Sequence, residues 1–388
     1  MLPVILLGGL NVVRALGLAG IPVVIASQQR RTPSMASRYC SGVIALPSIT
    51  DREAVVEKLI QAAGRFGRGV PLFYDNDDRL ALVQDFRASL APHFSLLLNP
   101  PQLADALLEK SRFQALAEQR GLPVPRRIEW ADLGAERGPV LVKPRTRTAW
   151  DDSSVRLQLF GGAGKARVFA DGAQACSHPL VAQLADRLQF QEYVPGGDEA
   201  IWSYHGFAAP GGAVLAGFTG RKIRTYPALT GDSSYLRLAH DERVEALGRE
   251  IAARLPLAGI FKIDFKRDAA SGRLALLEIN TRFNLWHYLG AVNGVNLPKV
   301  AYEFLTQKRI PKRTAARTRY RWLSLRDDWR ALRHDRIPVL RWLASLAYLP
   351  MVYDVFAWSD PLPFVRHWSA RIRSALSRRM PRWLASAS

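Results

Sequence analysis

Apolar and polar positions come in blocks at the start of the chain. Val4-Ile-Leu-Leu7 is a short apolar run that ends at Gly8-Gly9. Beyond it, Val12, Val13, Leu16 and Leu18 recur at helical spacing, Gly20 closes the stretch, and Ile21-Pro-Val-Val-Ile-Ala26 is apolar again. Strand, glycine turn, helix, glycine, strand is the βαβ unit of a parallel sheet. The alternation predicts a strand at 42–46, a helix over 51–64, a strand at 71–74, a helix over 79–90 and an apolar run at 95–98. In open α/β sheets ligands sit beyond the carboxyl ends of strands, here Gly8-Gly9 and Asp75-Asn76-Asp77. The glycine pair lacks the full dinucleotide fingerprint, and no acidic residue follows the second strand, so a plain tight turn competes with nucleotide binding.

Asn99-Pro-Pro101 punctuates the chain. A helix is expected over 102–119, closed by Gly121-Leu-Pro-Val-Pro125 as a glycine C-cap followed by prolines. The pattern then turns β-rich, with strands at 140–142, 167–170 and 190–194. The runs 200–204 and 213–218 read as antiparallel partners around a Pro-Gly-Gly turn. A helix over 241–255 precedes strands at 260–265 and 274–280, joined by a short glycine-containing loop.

That last hairpin carries the strongest chemical signal. Side chains alternate with period two along a strand, so Glu278 and Asn280 share a face, and Asp264 on the partner strand can meet them. Two carboxylates and an amide oxygen are hard donors that suit Mg²⁺ held beside substrate phosphates. Both carboxylates lie among apolar residues, where an unpaired charge is costly; the plain alternative is a hairpin with a solvated face. Three further features have bland readings of their own. Lys143 ends a buried-looking strand, where its stem could simply snorkel to solvent. Glu192-Tyr-Val-Pro-Gly-Gly-Asp-Glu199 is either an adenine-binding hinge or a simple turn. Lys110 lies on a helix whose face could merely be solvated.

Taken in order, these features closely resemble the ATP-grasp superfamily. The order is a helical lysine before Gly-Leu-Pro-Val-Pro, a strand lysine, Glu-Tyr-Val-Pro-Gly with a later glutamate, then Asp and Glu-x-Asn on a hairpin. Glu278-Ile-Asn-Thr-Arg282 looks like the final motif of the carboxylate–amine ligase branch. The resemblance covers about residues 1–306. It implies an α/β chain with a Rossmann-like parallel-sheet pre-ATP-grasp domain over 1–101 and a two-part α+β ATP-grasp domain over 102–306, divided at 188/189. A basic helical extension would occupy 307–388.

The resemblance also implies roles. Lys110 and Lys143 would contact ATP phosphates. Glu192 and the backbone of Tyr193 and Val194 would hold adenine, and Glu199 the ribose hydroxyls. Asp264, Glu278 and Asn280 would bind Mg²⁺, or Mn²⁺ in its place. Lys262 and Arg282 would stabilise phosphoryl charge or hold a substrate carboxylate, which the planar guanidinium fork suits. The implied reaction joins a carboxylate to an amine through an acylphosphate, and a peripheral membrane or binding protein on a degenerate scaffold is the alternative. The segment after Lys143 departs from the glycine-rich phosphate loop of many relatives. Arg145 and Arg147 stand there as replacement phosphate ligands or as a clamp on an anionic substrate. Asn284 and His287 are candidates for the acceptor wall, with aromatic packing as the competing role.

Composition narrows the picture. Among 388 residues, 48% hydrophobic and 23% charged exclude wholesale disorder and fit several folded domains. Cys40 and Cys176 exclude a disulfide scaffold and fit a reducing compartment. The first residues lack a basic n-region and read as a strand rather than a signal peptide, so a cytoplasmic enzyme is expected, with a homodimer compatible. The net charge of +20 is uneven: residues 307–388 hold 18 Lys/Arg against five Asp/Glu, and six of the ten tryptophans. Residues 337–358 are mostly apolar, yet Arg341 or Asp354 near a span centre would cost roughly 2.5–3.5 kcal/mol each. The extension is therefore expected to pack on the core or to lie on the inner membrane surface. No nucleic-acid module is recognisable, and small-molecule carboxylate and amine substrates are the expected partners.

Overall fold

The computed structural model describes residues 1–145, 153–161, 164–229, 231–309, 314–348 and 350–379. The predicted βαβ pattern forms as read. Strands β1 (Val4–Leu7), β2 (Val23–Ser27), β3 (Cys40–Ala45), β4 (Val70–Tyr74) and β5 (Phe94–Ser95) make one parallel sheet, in the order β3-β2-β1-β4-β5. Its two apolar faces differ in partner. Ile5, Leu7 and Val24 pack on the helix Arg52–Ala63 and its neighbours. Val4, Leu6 and Ile25 share a core with Phe207, Trp286, Leu297 and Trp322 from distant parts of the chain. The first sheet is thus fastened to the later two-thirds of the molecule through a shared apolar layer.

A four-stranded sheet comes next, ordered β6 (Arg127–Ile128), β9 (Leu188–Glu192), β7 (Val140–Pro144), β8 (Arg167–Phe169). Because β9 pairs with both β6 and β7, the expected break at 188/189 cuts a strand that belongs to this smaller layer. A seven-stranded sheet completes the architecture. Its strands run, from one edge to the other, β14 (Leu274–Asn280), β13 (Gly259–Arg267), β10 (Ile201–Ala208), β11 (Val214–Tyr226), β12 (Asp232–Leu238), β15 (Arg321–Leu323) and β16 (Met351–Tyr353). The Pro-Gly-Gly turn joins β10 to β11 as expected, with Gly211 and Gly212 at φ 90° and 85°.

Three expectations are corrected. The helix foreseen over 102–119 is two, Pro101–Leu108 and Lys110–Gln119, separated by Glu109 in extended conformation. Lys110 therefore starts a helix instead of lying inside one. The apolar run at 95–98 gives only the two-residue strand β5. The extension is not purely helical either: β15 (Arg321–Leu323) pairs antiparallel with β12, and β16 (Met351–Tyr353) pairs parallel with β15.

Two buried ion pairs fix the extension in place. Asp328 accepts from Arg224 Nε at 2.9 Å and Nη2 at 2.8 Å, from Ser234 Oγ at 2.9 Å and from Trp342 Nε1 at 2.7 Å. Asp360 takes Arg14 Nε at 3.1 Å, Ser37 Oγ at 2.8 Å and the Arg38 amide at 2.8 Å, while Arg14 also donates to the Val355 carbonyl at 2.6 Å. Each carboxylate is saturated with donors, as burial of a charge requires. Among the described residues no helix is long and apolar enough to cross a membrane.

Candidate active site

The register of the central strands gathers the predicted residues. Asp264 pairs with Glu278 and Lys262 with Asn280 across β13–β14. On the other side, Ser203 pairs with Asp264 and His205 with Lys262 across β10–β13. Residues directly opposite in an antiparallel ladder share a face, so Ser203, Lys262, Asp264, Glu278 and Asn280 line one patch of sheet. Lys262 Nζ lies 2.7 Å from Asp264 Oδ2 and 3.6 Å from Glu278 Oε1. Asn280 Nδ2 donates to Glu278 Oε1 at 2.9 Å.

Sequence reasoning missed two members of this patch. Ser203 Oγ donates to Asp264 Oδ1 at 2.5 Å, and Lys222 Nζ of β11 stands 3.9 Å from Asp264 Oδ2. Neither carries a motif; their relation to Asp264 exists only through strand register. Burial alone would raise the Asp264 carboxyl. The ammonium groups of Lys262 and Lys222, with hydrogen bonds from Lys262 and Ser203, outweigh it and hold the pKa at about 2. Asp264 is thus a permanent anion under two cations.

Two more lysines add positive charge, one from the smaller layer and one from a helix packed on the large sheet. Lys143 on β7 and Lys110 at its helix start lie within electrostatic range of each other and of Glu278. Burial, and then the neighbouring Lys110, depresses Lys143 to about 8, with Glu278 opposing. Lys110 is lowered chiefly by the protein atoms crowding its ammonium, although its surface area leaves the residue as a whole exposed. Four lysines therefore converge from two layers on two carboxylates. A surplus of cations at one place is what a polyanion requires.

The remaining predicted residues are held by the protein itself. Glu192 pairs with Arg273 at 2.6 Å and Glu199 with Arg221 at 2.5 Å. The Tyr193 amide donates to the Pro139 carbonyl at 3.0 Å, and Val194 is buried. Arg145 donates from Nη2 to the Leu188 carbonyl at 3.4 Å; Arg147 lies outside the described residues. Arg282 does meet a carboxylate, but an internal one: Nε and Nη2 reach Asp77 at 2.5 and 3.2 Å, and Nη2 also reaches Asn280 Oδ1 at 3.1 Å. The strand ends of the first sheet are likewise engaged. Asp75 accepts from the Gly9 amide at 2.6 Å and from Arg79 at 2.5 Å. A Cβ on Gly9 would come within 3.3 Å of that carboxylate. The glycine pair thus serves an internal turn contact.

Asn284 and His287 are engaged with their own neighbours. The Asn284 side chain accepts the Trp286 amide at 3.1 Å, and the Asn284 amide donates to His287 Nδ1 at 2.9 Å. His287 is fully buried beside Phe283 and His205, and burial lowers its pKa to about 3. His205 is equally buried, its ring nitrogens without hydrogen-bond partners.

The comparisons agree with this architecture. Residues 214–326 match the family model described as ATP-grasp in the biosynthetic pathway with Ter operon. The sequence matches no curated protein. Among solved structures, the biotin carboxylase of Campylobacter jejuni in complex with a β,γ-ATP ligand superposes with TM-score 0.56 at 12% identity, over 82% of this chain and 74% of that one. An L-amino acid ligase from Bacillus licheniformis gives 0.55 at 15%, over 79% and 74%. The biotin carboxylase domain dimer of the Hydrogenobacter thermophilus 2-oxoglutarate carboxylase, solved with magnesium ADP and bicarbonate, gives 0.58 at 12%, over 82% and 73%. At such identities the likeness is one of fold. With its parallel first sheet, its smaller four-stranded layer and the Glu-x-Asn-x-Arg hairpin on its large sheet, the chain has the ATP-grasp fold.

Proposed function

We propose that this protein is an ATP-dependent ligase that joins a carboxylate to an amine, releasing ADP and phosphate. The observation carrying this reading is the convergence of Lys110, Lys143, Lys222 and Lys262 on the Asp264–Glu278 pair. A carboxylate does not condense with an amine at neutral pH, because oxide would have to leave. Transfer of the γ-phosphoryl group to a carboxylate oxygen breaks the bond to ADP and forms an acylphosphate. The amine nitrogen then attacks the acyl carbon, phosphate departs and the nitrogen loses a proton to solvent. Such chemistry needs positioning and charge neutralisation rather than a protein nucleophile.

In this reading Lys143 grips the phosphates from the smaller layer, and Lys110, Lys222 and Lys262 from the large sheet and the helix packed on it. Val194 and its neighbours wall the adenine, and Glu199 exchanges Arg221 for the ribose hydroxyls. Arg282, clamped by Asp77 and touching Asn280, positions the metal motif against the first sheet. The donor set fits a divalent cation: Asp264 and Glu278 already share one cationic group, the Lys262 ammonium, and Asn280 presents an amide oxygen beside them. When bound, Mg²⁺ or Mn²⁺ on these three residues would neutralise phosphate charge. The acceptor is an amino acid or peptide-like molecule, a choice supported by the arginines near the site.

The test is ADP release from purified protein given mixed pools of carboxylates and amines. Turnover that disappears in Glu278→Ala supports the assignment. Absence of turnover with every pool, or turnover untouched by Glu278→Ala, overturns it.

A further inference from the structure

Helices Leu325–His334 and Val339–Leu346 of the extension each bury part of their surface and expose the rest, and the start of helix Leu362–Arg379 buries Pro363 while leaving Leu362, Phe364, Val365 and Trp368 exposed. Trp342 is buried and donates to Asp328, and Ala331 and Leu332 are buried beside it. Their neighbours point outward. Leu340 is 81% exposed and Trp358 89%, and Trp329, Leu343, Leu362 and Trp368 are each about half exposed or more. A globular surface does not ordinarily gather large apolar side chains in one region.

The rings of the extension fall into two groups. Trp329 touches Trp342 at 5.6 Å between ring centres, linking the first two helices. Phe356 lies 4.9 Å from Trp358 and 5.4 Å from Phe364, which in turn lies 6.1 Å from Trp368. Charge joins the first helix to the third: Arg326 stands within electrostatic range of Arg330 and Arg371, with Asp327 and Asp354 as the opposing acids. Burial, and then these two arginines, lower its pKa. The region therefore combines protruding aliphatic and indole groups with three arginines, of which Arg330 pairs with Asp327 at 3.1 Å and Arg371 lies over the Trp368 ring.

We propose that this face lies on an anionic lipid surface, with the indole and leucine side chains among the acyl chains and Arg326, Arg330 and Arg371 at headgroup phosphates. Tryptophan and arginine are the side chains that favour the interface of a bilayer, where one end meets hydrocarbon and the other meets charge. Contact would be in-plane, since no helix among the described residues can span. The aliphatic side chains decide between lipid and nucleic acid. Leu340, Leu343 and Leu362 have no ring on which a base could stack, but each removes apolar area from water when it enters a membrane. This inference does not depend on the ligase reading.

The experiment is flotation of the full chain with vesicles of phosphatidylcholine alone, or with about one third phosphatidylglycerol. Binding to the mixed vesicles is expected, with a blue shift of tryptophan emission. Arg326→Gln and Arg371→Gln should each weaken it about fivefold. Leu340→Asp with Trp358→Asp should weaken it by more than about tenfold, since two apolar side chains are replaced by like charges. The thermal midpoint should hold in all of these, because every substituted side chain is exposed. Failure to float with phosphatidylglycerol, or flotation indifferent to both kinds of substitution, overturns the proposal. Capture of a single-stranded RNA by the same face, without vesicle binding, overturns it in favour of nucleic acid.

Discussion

Asp264 and Asp328 are both buried carboxylates in the large sheet's neighbourhood, and both face cations, yet they are built for opposite purposes. Asp328 takes two bonds from Arg224, one from Ser234 and one from Trp342. Its oxygens are fully claimed by groups that cannot leave without unfolding the extension. Asp264 takes one bond from Ser203 and one from Lys262, and its cationic partners sit on flexible stems beside the exposed Glu278. A lysine ammonium is a compact, movable charge, whereas a bidentate arginine is a fixed fork. The contrast separates charge that holds a fold from charge left movable, as the proposed phosphate site requires.

Isosteric substitution of the two aspartates sharpens this contrast most. Asp264→Asn should lower ADP release by on the order of 10³-fold, the scale of losing a key electrostatic group. Its stability should change by less than about 2 kcal/mol, because Glu278 remains to pair Lys262. Asp328→Asn should do the reverse, costing about 3–5 kcal/mol in urea unfolding by stranding Arg224. Equal effects of both substitutions on both readouts would erase the distinction.

A smaller effect comes from Lys143. Its ammonium is charged below a pKa of about 8 and neutral above it. As a phosphate ligand it would make kcat/KM for ATP fall about tenfold between pH 7 and 9. Lys143→Arg, which keeps its charge throughout that range, should flatten the profile.

The smallest effect concerns His205 and His287, kept neutral by burial. Their folded pKa values lie below the unfolded 6.5, so below that pH the unfolded chain binds protons that the native chain refuses. Stability should drop by about 1.4 kcal/mol per pH unit for each histidine as pH falls below about 6.5. His205→Phe should roughly halve that slope in thermal melts taken from about pH 6.5 to 4.5.

How much could be read from sequence depends on how local each signal is. The hairpin with Asp264, Glu278 and Asn280 was legible because a short loop and period-two alternation fix which side chains meet. The first sheet was legible because buried parallel strands read as bare apolar runs. Ser203 and Lys222 were not, since only the pairing of β10 with β13 and the course of β11 bring them to Asp264. Strands β15 and β16 have three residues each, too few to carry a period. The break at Glu109 has neither glycine nor proline to announce it. The engagement of Arg282 by Asp77 spans 205 positions, a distance over which no local pattern speaks.

The clamp between Arg14 and Asp360 joins residues 346 positions apart. At a typical synthesis rate of about 5–20 residues per second, the arginine would wait on the order of tens of seconds before its aspartate existed. Through that interval the first helix would have a guanidinium shaped for burial and no acid to receive it. The opening sheet would therefore reach its final form among the last parts of the molecule, although it is made first. A ribosome halted before codon 360 would release a chain whose defect lies at the beginning.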